Sequence, residues 1–96
     1  MIIKLFPLTT SFASNKDVAQ QVRLTQILPA LAKNEEVVCD FTQVDGATQS
    51  FIHALIGDPI RQYNSLFFDL VTFKNCNIVI QKIITIVTDY MQESLP

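Results

Sequence analysis

Residues 37–57 read VVCDFTQVDGATQSFIHALIG, and three kinds of local structure follow one another within them. Val37, Val38, Cys39 and Phe41 form a nearly continuous apolar run broken by Asp40, the pattern of a strand covered on both faces by helices. Thr42 to Ala47 is small and polar, holds Gly46, and reads as a reversal. From Thr48 or Gln49 the apolar spacing becomes helical: Phe51, Ile52, Leu55 and Ile56 share the inward side and His53 falls on the outer one. Gly57 can take the left-handed conformation that closes such a helix.

Downstream, Asp58 and Pro59 restart a helix at once, Asp as N-cap and Pro at the first helical position, with Ile60, Tyr63 and Leu66 turned inward. Phe67 to Phe73 is rich in aromatic and β-branched residues and reads as a strand. Ile78 to Val87 is also dense in β-branched residues, but its period is helical. Gln81, Lys82, Thr85, Thr88, Asp89, Gln92 and Glu93 share one arc, and Val79, Ile80, Ile83, Ile84, Ile86, Val87, Tyr90 and Met91 fill the rest. Burying eight such side chains at ~1.5–3 kcal/mol each outweighs a summed propensity cost of ~3 kcal/mol. The segment is therefore a helix, capped by Asn75.

Upstream, Ile2 to Phe6 reads as a strand with Ile3 and Leu5 on one side, ended by Pro7, and Thr9 to Phe12 as a short second strand. Ser14 with Asp17 resembles a capping box that starts a helix running to about Lys33. Val18 and Val22 mark one stripe of it; Leu24, Ile27, Leu28 and Leu31 mark another turned around the axis, and Pro29 is the expected cause of the slip. Alternating strands and helices predict an α/β fold of order β-(β)-α-β-α-β-α, a small, mostly parallel sheet with right-handed crossovers, in a single domain spanning residues 1–96.

The 96 residues are 49% hydrophobic and 17% charged, enough to fill one core. A net charge of -2 and a pI of about 5.1 lack the basic excess that phosphate backbones demand, so nucleic acid is not an expected partner. The apolar runs fall far short of the ~20 residues that span a bilayer, and Lys4 and Pro7 interrupt the only stretch that a leader could use. A cytoplasmic protein without membrane attachment is expected.

Catalytic sets are equally sparse. Cys39 and Cys76 have neither the spacing nor the histidines of a zinc site, and no metal or cofactor is expected. His53 is the only histidine, so any nucleophile–histidine mechanism would pass through it. Cys76, near a predicted helix start, is the one thiol whose pKa could be lowered. No phosphate-cradling or nucleophile-elbow pattern occurs, and an enzyme is not expected. In sheets of this class function gathers at the carboxyl ends of the strands, here Thr42 to Ser50 and Lys74 to Asn77.

The stretch from Val37 to Gly57 resembles the signature of the STAS-like domains of unknown function: an apolar strand ending in Asp-Phe, a Val three residues on, a small or polar turn, and Ser-Phe opening a helix. LVTFKNCNIVIQKII, from Leu70 to Ile84, is similar to the same family's last strand and its Phe-Lys-Asn lead into the final helix. Asp40, Phe41, Val44, Phe51 and Asn75 are then the structural motif. Asp40 takes donors from the turn, Val44 anchors that turn to the core, Phe51 plugs the next helix onto the sheet, and Asn75 caps the last helix.

Anti-sigma factor antagonists, which carry true STAS domains, have a phosphorylatable serine in the corresponding loop, where a histidine-kinase-like ATPase docks. That resemblance implies a non-catalytic, protein-binding signalling module of a bacterium or phage, with such an ATPase as its partner. Asp45, Gly46, Thr48, Gln49, Ser50 and His53 form its regulatory loop. The acceptor position falls on Gln49, which takes no phosphoryl group, leaving Ser50 or Thr48 as candidate acceptors or as helix caps, with Asp40 and Asp45 repelling a phosphate. The other reading is a small-ligand or nucleotide sensor at the same strand ends. The aliphatic content is consistent with a dense core or with a face used for self-association.

Overall fold

The structure, a computed structural model, describes residues 1–93. In chain order its elements are β1 (Ile2–Lys4), α1 (Phe6–Thr9), β2 (Phe12–Ala13), α2 (Lys16–Val22), a π-helical turn (Arg23–Ile27), α3 (Leu28–Ala32), β3 (Val37–Asp40), β4 (Gly46–Ala47), α4 (Gln49–Tyr63), α5 (Ser65–Leu70), β5 (Val71–Lys74) and α6 (Ile78–Glu93). The main sheet is parallel in the order β1-β3-β5, with Ile3, Cys39 and Phe73 in one row and Lys4, Asp40 and Lys74 in the next. β2 and β4 form a separate parallel pair. A mixed α/β chain with a small parallel sheet and helices packed on it is thus the architecture.

Both crossovers advance the same way, from β1 to β3 to β5. Crossovers of one hand that travel in one direction lay their helices on one face of the sheet. Burial follows: Ile3, Val37, Cys39 and Val71 are buried on the helical side, while Ile2, Lys4, Thr72 and Lys74 are exposed on the other. The expectation that helices cover β3 on both faces is therefore corrected. Val38 and Asp40 point to the face opposite Val37 and Cys39 and are half-buried.

α4 is the centre of the helical layer. It buries Phe51, Ile52, Leu55, Ile56, Gly57, Pro59 and Ile60 and packs against α2 on one side and α6 on the other. It also overrides its own punctuation. Gly57 does not close it and Asp58–Pro59 does not restart it, since one helix runs from Gln49 to Tyr63 and neither glycine has positive φ. Pro59 cannot donate to Leu55, and Arg23 reaches across from the π turn to this weakened stretch. Its guanidinium donates to the Ala54 carbonyl at 2.9 Å and lies 3.6 Å from Asp58. Asp58 also accepts from Arg61 at 3.1 Å, so its carboxylate fastens the helix rather than capping one.

The phase slip upstream is real, and a π turn absorbs it. The Leu28 N–H bonds the Arg23 carbonyl five residues back, and the buried positions step by five from Val22 to Ile27. Leu24, expected inward, is consequently exposed. Asn15, not Ser14, caps α2, its side chain accepting from the N–H groups of Asp17 and Val18. The second strand lies at Phe12–Ala13, slightly later than expected.

Phe67 to Leu70 is helical rather than extended. Val37 pairs with Val71, so β3 has no residue left to ladder with anything earlier in β5, and these backbone groups bond within α5 instead. α6 is a helix despite its β-branched residues, but it buries only Ile80, Ile84, Val87 and Met91 of the eight expected.

Gly57 sits in mid-helix, and a Cβ there would lie 3.5 Å from the His53 ring, ordinary contact distance. Gly57→Ala should therefore stabilise the protein by about 0.5–1 kcal/mol through helix propensity. Urea denaturation measures this; a left-handed cap at Gly57 would give the opposite sign.

Candidate functional site

The carboxyl edge of the sheet is built around Asp40. Its Oδ1 accepts from the Thr42 N–H at 2.9 Å, the Thr42 hydroxyl at 2.6 Å and the Asn75 amide at 3.0 Å. One carboxylate thus ties the reversal after β3 to the loop after β5. These three bonds hold its pKa down at about 2, Asn75 contributing most, then the Thr42 hydroxyl and N–H, with desolvation opposing and Lys4 assisting weakly. Asp40 is half-exposed, not buried.

Asn75 does not cap α6. Its φ is 60°, a conformation that asparagine tolerates, which turns its amide back onto Asp40. Asn77 is the cap: its Oδ1 accepts from the Ile80 N–H at 2.9 Å, and its Nδ2 donates to the Asp45 carbonyl at 2.6 Å. The reversal is fastened from the other side as well. The Asp45 N–H bonds the Ser11 carbonyl at 2.7 Å and the Thr48 N–H bonds Ala13 at 2.9 Å, on either side of the β2–β4 pair. Val44 closes a tight turn onto the Phe41 carbonyl at 2.9 Å and is buried with Phe41 and Phe51.

The expected loop residues separate into three groups. Gly46 is buried, and a Cβ on it would lie 2.9 Å from the Phe12 ring, so it serves packing and cannot be presented to a partner. Thr48 is the cap of α4, its hydroxyl oxygen accepting from the Phe51 N–H at 3.0 Å. Asp45, Gln49, Ser50 and His53 are exposed. The last three line a shallow groove of about 640 Å³ between α4 and α6, completed by Lys16, Ala54, Val87 and Tyr90. The His53 and Tyr90 ring centroids lie 6.3 Å apart, with the rings tilted at 59°.

Lys16 and Tyr90 were not anticipated. Each stands on an element far away in sequence, and no local spacing signals their approach; only the Asn15 cap, which makes Lys16 the first residue of α2, bears on it. Cys76 is also corrected. Its thiol is pushed up to about 11, by burial and then by the Asp40 charge, and Cys39 to about 12 by burial. Neither favours a thiolate. Among the described residues no group of three or more His, Cys, Asp or Glu could hold a metal ion, and no helix is long and apolar enough to cross a membrane.

A family model described as a STAS-like domain of unknown function (DUF4325) matches residues 18–81, from α2 to the first turn of α6 and well over half of the chain. The chain belongs to this family. No curated protein and no solved structure matches it. The matched span of the STAS-like domain contains β3, the Asp40–Asn75 bridge, all of α4 and the Asn77 cap, whereas β1 and β2 lie before it and Tyr90 beyond it.

The Asp40 carboxyl moves from 3.8 to about 2 on folding, so its contribution to stability is complete about a pH unit above 3.8 and is lost as the pH falls through 2. Comparing urea midpoints of the parent and Asp40→Asn isolates this group. The parent should be the more stable at neutral pH, and the gap should narrow progressively between about pH 5 and pH 2. A gap independent of pH would remove Asp40 from its bridging role.

Proposed function

We propose that this STAS-like domain is a non-catalytic signalling module that presents the exposed first turns of α4, with the adjoining reversal, to a protein partner. The observation carrying this reading is the convergence of Gln49, Ser50 and His53 with Lys16 and Tyr90 on one open groove, beside a loop held from two sides. A loop already fixed in one conformation loses little freedom on binding, so its exposed side chains act as a ready surface. The groove is mixed in character, with a lysine, an amide, a hydroxyl and two aromatic rings, as non-obligate interfaces are.

A histidine-kinase-like ATPase is the partner class that the resemblance to anti-sigma factor antagonists supports. Gln49 stands at the first position of α4, so a regulatory phosphate would fall on Ser50; the Thr48 hydroxyl already caps the helix. STAS-like domains are generally non-enzymatic, in keeping with the raised thiol pKa values.

The test is titration calorimetry of the purified chain against a histidine-kinase-like ATPase from the same source. Gln49→Glu and Asp45→Lys should each weaken binding about tenfold or more while thermal unfolding stays within a few degrees of the parent, because both residues are exposed and an acidic residue in the first turn favours the helix. Unchanged affinity in both variants overturns the reading. A thermal shift with ATP or GTP alone would instead favour a small-ligand sensor.

A further inference from the structure

α6 carries two apolar stripes, and only one of them is fully buried. Ile80, Ile84, Val87 and Met91 repeat at spacings of four, three and four and are buried. One residue earlier, Val79, Ile83, Ile86 and Tyr90 repeat at the same spacings on a face turned about 100° around the axis. Val79, Ile86 and Tyr90 are 49%, 50% and 60% exposed, and Ile83 is half-buried. A four-three repeat of apolar residues is the narrow seam that packs against another helix at a crossing of about 20°.

We infer that this seam pairs α6 with α6 of a second copy of the chain, antiparallel, about a two-fold axis between Ile83 and Ile86. The flanking charges select this occupant. With Ile83 and Tyr90 at heptad position a and Val79 and Ile86 at d, Lys82 and Asp89 both fall at g and are exposed. An antiparallel two-fold pair sets Ile83 against Ile86 of the second copy and Val79 against Tyr90. It brings each Lys82 beside the opposite Asp89, so the surface is complementary to itself in apolar layers and in charge. A parallel pair would set g positions against e positions, here Ile80 and Val87, which are buried in their own core. The seam from Val79 to Tyr90 covers about three turns of α6, ~17 Å of helix, and so short a helix pair buries less surface than a standard stable interface, so the dimer is weak, with Kd on the order of 10–100 µM.

This inference does not rest on the reading of the α4 groove, with which the seam shares only Tyr90, and substitutions at Gln49 leave it untouched. Sedimentation equilibrium of the full chain from about 5 to 500 µM tests it. The parent should follow a monomer–dimer equilibrium. Lys82→Glu and Asp89→Lys should each weaken it about tenfold, the double variant should restore it, and Ile86→Ser should abolish it with helical circular dichroism unchanged. Rescue by the double swap distinguishes self-pairing from a fold defect in either single variant. A parent that stays monomeric throughout, a double variant that fails to recover, or a dimer indifferent to Ile86→Ser would overturn it; the first outcome would leave the seam to a helix of another protein.

Discussion

The single carboxylate of Asp40 determines how the carboxyl edge of this sheet can be built. It stands on a strand of otherwise apolar residues, and its three hydrogen bonds come from two different loops. Once Asn75 is held there with positive φ, the chain is aimed so that Asn77 can cap α6 and reach the Asp45 carbonyl. The reversal then has no freedom on the β5 side, and the β2–β4 pair removes it on the other. The start of α4 stays outward, fixed in direction by the Thr48 cap and by Phe51, which is fully buried. A polar interaction at the edge of the sheet thereby sets where an exposed helix face points.

The direction of the crossovers has consequences of equal weight. Because both step the same way, the crossover helices lie on one side, and the other face of the sheet carries Lys4, Asp40 and Lys74 in a row. Lys4 reinforces the low pKa of Asp40 from that face, weakly, as befits a screened surface pair. That face also explains why Asp40 can ionise at little cost while belonging to the sheet's central strand: its side chain meets solvent and donors rather than the core.

How much of this was legible in the residues depended on whether local and tertiary demands agreed. They agreed at Val37–Phe41, at Gln49–Ile56 and in α6, where period outweighed β-branched propensity. They disagreed at Gly57 and Pro59, where local punctuation says stop but both residues are buried within the helix that packs on α2 and α6. Phe67–Leu70 has the composition of a strand, and a strand was ruled out by the length of its neighbour, which no local window contains. Asn75 and Asn77 are interchangeable as caps by residue type and position. The positive φ that sends one to Asp40 and leaves the other to the helix is a property of the loop between two packed elements. In the groove, Gln49, Ser50 and His53 were readable because they share one helix face, whereas Lys16 and Tyr90 reach it from other elements.

The composition of α6 is informative because folding alone does not require it. Burying four side chains at ~1.5–3 kcal/mol each supplies roughly 6–12 kcal/mol gross, still above the ~3 kcal/mol that β-branched residues cost in a helix. The buried stripe is therefore sufficient to hold the helix on α4; of the second stripe Ile83 packs partly against the core, while Val79, Ile86 and Tyr90 stay exposed. Scattered exposed apolar residues need no explanation, but these four repeat the spacing of the buried stripe over three turns. That the second face keeps the period of a packed one, and that its bordering charges change sign from Lys82 to Asp89, is the observation on which the proposed self-pairing rests. Tyr90 lies where that face meets the α4 groove, its ring tilted against that of His53, so the two surfaces share this residue along one edge of α6.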